Sequence, residues 1–177
     1  MLEGNPWLGL SHRGGAGWQP MPWPLPNVWC GVSLELDKYR FRADHLRATP
    51  AAVRWISAEP LMGDLPSLDL DSIDWVVVGG MSGHGAVRMN PEWARAIRDR
   101  CAAHTIPCPS DTDGDGNCAV CTRPGPFAPK RGRHSSPVAF HFKQTGVVLA
   151  REWGMTDTNG SDPDEWPDEF KIREYPR

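Results

Sequence analysis

Polar or glycine residues lie at or just after the ends of four segments that have the composition of buried strands. These segments span 28–33, 53–58, 75–78 and 138–142. The residues at their ends are Ser33, Glu35, Ser57, Glu59, Gly79, Gly80, Ser82, His141, Lys143 and Gln144. The carboxyl ends of parallel strands meet at one edge of a sheet, so we expect these residues to form a rim that binds a polar ligand or transfers protons.

Simpler roles remain open for several rim residues. Glu35 and Glu59 would serve equally well as helix caps or as partners of an arginine. Gly79 and Gly80 would let a ligand approach the backbone closely, but a tight turn requires the same residues. The pair matches neither the dinucleotide-binding fingerprint nor a Walker loop.

A second candidate for chemical function is the cysteine pair Cys118 and Cys121. The spacing of these residues lets two thiolates bind one zinc ion. Two ligand sets are compatible with the spacing. One is Cys108, Cys118, Cys121 and His134, and the other is Cys101 and His104 with Cys118 and Cys121. Free thiols are the alternative, and the spacing disfavours an iron–sulfur cluster.

Two further patterns lie in the same long segment. Residues 111–116 (DTDGDG) are similar to the start of a calcium loop, but position 12 of that loop would be Thr122 instead of glutamate. Residues 130–134 (KRGRH) form a basic cluster that would contact the phosphates of nucleic acid or remain a solvated loop.

The elements that must position these residues alternate between strand and helix, which predicts an α/β fold with parallel strands. One helix is expected at 37–47 and another from Asn90 to about His104, with Trp93, Ile97 and Cys101 on its apolar side. Residues 1–23 are expected to form an irregular arm and 24–154 a partial β/α barrel with an insert at 107–137. We expect residues 155–177 to form an acidic, proline-containing tail that docks loosely.

Composition limits the remaining choices. The chain has 177 residues, fewer than the roughly 250 of a closed eight-stranded barrel. Its net charge of −3 gives no overall attraction to nucleic acid or to an acidic membrane. No apolar run is long enough to span a membrane and no signal peptide is visible, so a cytoplasmic location is expected.

The order of several short motifs resembles a phage-encoded family, gene products thirty-seven and sixty-eight. The motifs are Trp23–Trp29, Gly31–Glu35, Thr49–Ala51, Ser57–Leu61, Asp74–Gly80, Ser82–Gly83 and Phe142–Gln144. The resemblance covers about residues 23–108 and 138–153. It implies a radical-SAM-like barrel of unassigned function, with this chain matching its C-terminal half and acting in the cytoplasm of a bacterial host.

The chain departs from that family in three places. It has no Cys-x₃-Cys-x₂-Cys motif to hold an iron–sulfur cluster, it has Met81 where the family has an acidic residue, and it has the long insert. The resemblance therefore implies a barrel half that is not catalytic alone. An iron–sulfur cluster and S-adenosylmethionine would require a partner chain that supplies the N-terminal half.

Three functions remain open. The first is a barrel half completed by that partner. The second is a zinc-stapled binding module for nucleic acid or a host protein. The third is an inactive remnant, or a half-barrel that forms a homodimer.

Overall fold

The computed structural model describes residues 9–12, 18–21, 23–107 and 135–176. The strands are β1 (Gly9–His12), β2 (Trp18–Met21), β3 (Trp29–Ser33), β4 (Val53–Ala58), β5 (Trp75–Gly79), β6 (Thr105–Pro107), β7 (Ser135–Pro137) and β8 (Ala139–Gln144). The α-helices are α1 (Phe41–Ala48), α2 (Pro91–Ala103) and α3 (Val147–Glu152). Short 3₁₀ helices occupy Asp37–Tyr39, Pro163–Glu165 and Asp168–Phe170.

The predicted parallel sheet is present. In the described residues, β3, β4, β5 and β8 form an all-parallel sheet of four strands in that order. The pairs β1–β2 and β6–β7 are antiparallel. The sheet does not close on itself, so the fold class of α/β with parallel strands is confirmed and a barrel is not.

Helix α2 begins as its sequence predicts. The side chain of Asn90 accepts a hydrogen bond from the backbone N–H of Glu92, and Pro91 occupies the first turn. Ile97 and Cys101 are fully buried, and Trp93 packs against the same core. The helix ends at Ala103, with His104 as its C-cap.

Both long helices cover the same face of the sheet. Residues of α1 (Ala43, Leu46) and α2 (Ala94, Ile97, Cys101) belong to one hydrophobic cluster with alternate residues of the strands. Those strand residues are Ile56, Ala58, Val76, Val78, Phe140 and Phe142. The connection between β4 and β5 adds Leu61, Leu65, Leu68, Leu70 and Ile73 to this core. The helix-covered face therefore forms the hydrophobic core of the described structure.

The acidic tail does not dock loosely, and that expectation is wrong. Trp166 and Phe170 are buried, and their rings lie 5.0 and 4.7 Å from the ring of Phe142. Farther on, the carbonyl of Ile172 accepts a hydrogen bond from the N–H of Phe142, and the N–H of Glu174 donates to Phe140. The aromatic residues of this segment bury enough apolar surface to fix it, although most of its other residues are polar.

The segment around Arg173 also occupies the outer edge of β8 through an antiparallel bridge between Arg173 and His141. At the opposite edge of the sheet, β3 pairs with β4 and has no strand on its other side within the described residues. The two edges of the sheet are thus different: one is capped by the chain itself and the other is open.

No helix among the described residues has both the length and the apolar composition required to cross a membrane.

Candidate functional site

The face of the sheet opposite helices α1 and α2 has a different composition from the core face. Alternate strand residues that point to it include Trp29, Trp55, Trp75, His141 and Lys143. Trp29 is 43% exposed, and in the described structure no helix packs on this face. Large aromatic side chains on an uncovered sheet face are typical of a surface that binds something.

An open pocket of about 410 Å³ lies on this face, toward the carboxyl ends of the strands. Its lining residues are Trp55, Ser57, Glu59, Trp75, Val77, His141, Lys143, Arg173 and Tyr175. Four of the predicted rim residues, Ser57, Glu59, His141 and Lys143, therefore do lie together.

An ion pair forms the polar side of the pocket. The ammonium of Lys143 lies 2.8 and 3.0 Å from the two carboxylate oxygens of Glu59. The Glu59 side chain is 16% exposed, and its carboxylate lies over Gly79, where an added Cβ would be 3.1 Å from Glu59 Cδ. Gly79 thus makes room for the carboxylate of Glu59, and a Cβ at this position would require that side chain to shift by a few tenths of an ångström.

Aromatic rings form the apolar side. The Trp75 ring lies 5.6 Å from Trp55, 5.9 Å from Trp29 and 5.4 Å from Tyr175. The Trp55 indole lies across Gly31, where an added Cβ would collide with the ring. The Trp75 indole N–H donates to the carbonyl of Glu174, which joins the C-terminal segment to this cluster.

His141 lies between the two sides and is 5% exposed. Its Nε2 accepts a long hydrogen bond of 3.4 Å from Arg173 Nε. Its Nδ1 is buried and has no hydrogen-bond partner among the described residues. The carbonyl of Glu174, which accepts from Trp75, also lies close enough to act on the ring, but it makes no well-formed hydrogen bond with Nδ1.

Burial lowers the pKa of His141, and the positive charges of Arg173 and Lys143 lower it further, while the Glu174 backbone acts in the opposite direction. The imidazole is therefore neutral at pH 7. Because Nε2 accepts from Arg173, the proton lies on Nδ1, which becomes an unused donor beside the pocket.

The other predicted rim residues have structural roles or lie apart. Arg42 pairs with Glu35 at 3.1 Å and also donates to the Ser33 carbonyl. The Gln144 amide donates to the carbonyl of Gly80 at 2.8 Å inside the protein. Ser82 is exposed on the loop after β5 and does not line the pocket.

Gly80 serves backbone packing, not ligand approach. A Cβ at this position would lie 2.6 Å from the carbonyl carbon of Thr145 and 2.9 Å from the nitrogen of Gly146. The loops after β5 and β8 therefore meet backbone to backbone at Gly80.

Of the predicted zinc ligands, only Cys101 and His104 lie among the described residues. Cys108, Cys118, Cys121, His134, the acidic segment 111–116 and the basic cluster 130–134 lie outside the described residues. Among the residues that are described, no cluster of His, Cys, Asp or Glu could hold a metal ion. The zinc site remains a prediction.

The second zinc ligand set requires Cys101 and His104, which are described. Cys101 is fully buried in the core, and this burial raises the pKa of its thiol to about 12. Nε2 of His104 lies 3.4 Å from the Asp71 carboxylate without forming a proper hydrogen bond. A neutral thiol packed among apolar side chains is a poor zinc ligand, so the set based on Cys108 and His134 is the better candidate.

The sequence predictions did not include Trp55, Trp75, Arg173 and Tyr175 in the site. The two tryptophans have a detectable signal, since they lie two or four residues before Ser57, Glu59 and Gly79 and so share their face of the sheet. Arg173 and Tyr175 have none, because only the docking of the tail brings them to His141.

Comparison with known proteins adds a family but no function. Neither the curated proteins nor the solved structures include a significant match to the chain. The profile of one family, described as a protein of unknown function (DUF5131), matches residues 7–114. This range contains β3, β4 and β5 with Glu59 and Gly79, and it ends before His141 and Lys143. Since the match covers more than half of the 177 residues, the chain belongs to the DUF5131 family of proteins of unknown function.

Proposed function

We propose that this chain is the ligand-binding half of a parallel β/α barrel and is not catalytic alone. The observation that supports this best is the unequal covering of its sheet. Parallel sheets are normally buried on both faces. In a barrel, helices cover the outer face, and the site lies at the carboxyl ends of the strands that surround the inner face. Here the helices of the described structure pack on one face, and the pocket lies on the other.

The edges of the sheet indicate where the remaining strands would join. The outer edge of β8 is occupied by the segment around Arg173, so in the part of the chain that the structure describes the edge of β3 is the unpaired one. The exposed ring of Trp29 lies on this strand. We propose that a separate chain of the radical-SAM-like phage family pairs there and supplies the N-terminal half of the barrel.

Radical chemistry would belong to that partner. The sequence has no Cys-x₃-Cys-x₂-Cys motif, and the described residues offer no metal-binding cluster. The cysteine spacing of the sequence and the side chains of the described residues do not fit an iron–sulfur cluster, so we assign this chain no step that depends on one. Its own contribution is binding: the Glu59–Lys143 pair, His141 and the aromatic rings would orient a substrate.

The test is co-expression with the product of a neighbouring gene that encodes a Cys-x₃-Cys-x₂-Cys motif, followed by sedimentation of the purified material. We expect a one-to-one complex that Trp29→Ser weakens and that Phe41→Ser leaves intact. Phe41 is a suitable control because it is also exposed, at 50%, but belongs to α1. Absence of any such complex would overturn the partner half of the proposal, and a symmetric dimer of the chain alone would replace that partner with a second copy.

A zinc-stapled binding module is the second candidate function, because the spacing of Cys118 and Cys121 suits a zinc site. Metal analysis of protein purified without chelators tests it. Near-stoichiometric zinc that is lost in Cys118→Ser and retained in Cys30→Ser would support the module. Zinc-free protein would exclude it.

A further inference from the structure

We propose that the pocket beside His141 binds a nucleotide-like ligand, that is, a planar heteroaromatic ring with an attached phosphate. This inference rests on the proposed function, which assigns the pocket as the ligand site, and it names the class of ligand. It draws on four groups of the pocket: two cations, an unused donor and the aromatic side.

The first observation concerns charge. Lys143 and Glu59 neutralise each other through two short contacts. Arg173 remains, and among the described residues its guanidinium forms no ion pair. Its one side-chain hydrogen bond is the long contact from Nε to His141, which leaves the two terminal nitrogens to bind an anion. The pocket thus has one uncompensated positive charge, in the fork geometry that matches a phosphate or carboxylate.

The second observation concerns His141. A buried donor without a partner costs free energy, typically more than a satisfied one contributes. Nδ1 of His141 is such a donor, on a side chain that is 95% buried and lines the pocket. A rotation of the imidazole would bring Nδ1 to the pocket, where a ring nitrogen or a carbonyl oxygen of a ligand would satisfy it. This requirement favours a heteroaromatic ring over a plain hydrocarbon ring.

The third observation concerns the rings. Trp55 and Tyr175 flank Trp75 at tilts of 43° and 36°, so they do not form a parallel slot. The side chain of Tyr175 is 55% exposed, which leaves a ring face free. A base would stack on one such face, an interaction that tolerates any base because each has a π face.

These groups come from separate parts of the chain. Trp55 and Glu59 belong to β4 and its end, His141 and Lys143 to β8, and Arg173 and Tyr175 to the C-terminal segment. The bridge between Arg173 and His141 holds that segment against β8. The C-terminal segment therefore completes the ligand site instead of merely protecting the edge of the sheet.

The ligand could be a free mononucleotide or a nucleotide within a single strand, and both present the same chemistry. Equilibrium binding of AMP and UMP to the full chain, beside adenosine, inorganic phosphate and a short oligothymidylate, separates the sources. We expect saturable binding of AMP or of the oligothymidylate, with inorganic phosphate as a competitor. Tighter binding of the oligothymidylate, weakened by salt, would identify a polymer.

Two substitutions with matched controls test the assignment. Arg173→Gln should weaken nucleotide binding about tenfold, while Arg151→Gln, an equal charge change at an exposed position of α3, should leave it unchanged. Tyr175→Leu should weaken it about fivefold, and Phe41→Leu should not. Circular dichroism confirms that each variant is folded.

The inference is overturned if neither AMP nor the oligothymidylate binds saturably, or if Arg173→Gln behaves like Arg151→Gln. Its failure can be told apart from failure of the proposed function. A chain that binds AMP but never assembles with a second half contradicts the barrel, whereas a chain that assembles but binds no nucleotide contradicts only the ligand.

Discussion

The two faces of the parallel sheet are built from alternate residues of the same four strands, yet they differ in every physical respect. On the helix-covered face, Ile56, Val76, Phe140 and Phe142 are buried and belong to one hydrophobic cluster. On the other face, aromatic rings, an ion pair and a histidine line an open pocket. Because side chains alternate across a strand, one short sequence specifies both surfaces at once.

We expect the helix-covered face to stabilise the fold and the pocket face to bind the ligand. Burial of apolar surface on the helix-covered face provides the main driving force for folding. The pocket face contains groups that contribute little to that force or oppose it, such as the unpaired Nδ1 of His141. Substitutions on the two faces should therefore change different properties of the protein.

The largest expected loss of stability comes from a substitution on the helix-covered face. Phe142 is fully buried and its ring stacks 4.7 Å from that of Phe170. We expect Phe142→Ala to lower the free energy of unfolding by about 3–5 kcal/mol, through lost burial and a new cavity. Urea denaturation measures it, with Phe41→Ala as the exposed control. Equal losses in both variants would mean that the tail does not pack on this core.

The next largest loss of stability is expected from substitution of two of the glycines that follow β5. Gly80→Ala places a Cβ against the backbone of Thr145, which cannot move aside as a side chain would, so we expect a loss of about 3 kcal/mol. Gly83 has a φ of +87° and open space around it, so Gly83→Ala should cost only about 1–2 kcal/mol of local strain. Thermal denaturation of both variants gives the comparison, and a reversed order would contradict the backbone contact.

A smaller effect is the pH dependence contributed by His141. Its pKa is lowered in the folded state, so the unfolded chain binds the proton more readily. The stability from the neutral imidazole is fully present above the unfolded pKa of about 6.5 and decreases as the pH falls below it. Unfolding free energies measured between pH 5 and 8 should fall more steeply on acidification for the wild type than for His141→Gln. Identical slopes would show that the ring is not buried as described.

The smallest effect on stability should come from the pocket ion pair. Lys143 is about half exposed, so Lys143→Met should change the free energy of unfolding by less than about 1 kcal/mol. Lys171→Met, which removes a solvent-exposed pair with Asp168, is the matched control. A loss of several kcal/mol specific to Lys143 would place the pair among the elements that stabilise the fold and weaken its assignment to ligand binding.

Local sequence patterns were sufficient for much of the fold. The strand-forming residues of β4, the continuous apolar run of β5, and the cap formed by Asn90 and Pro91 depend on neighbouring residues and were predicted close to their observed bounds. The convergence of Ser57, Glu59, His141 and Lys143 also follows, because parallel strands carry their carboxyl ends to one edge. The separate roles of Glu35 and Gly80 do not follow, since Arg42 and Thr145 reach them only in the folded chain.

The sequence by itself thus determined the four strands of the parallel sheet, the helices α1 and α2, and the rim of polar groups, because these depend on apolar patterning and capping within a few residues. The tertiary structure decided which rim residues share a pocket. It also brought Arg173 and Tyr175 to His141 at the outer edge of β8. That contact forms when Trp166 and Phe170 bury their rings against the core, a long-range packing event that no local pattern in an acidic, proline-containing segment can reveal.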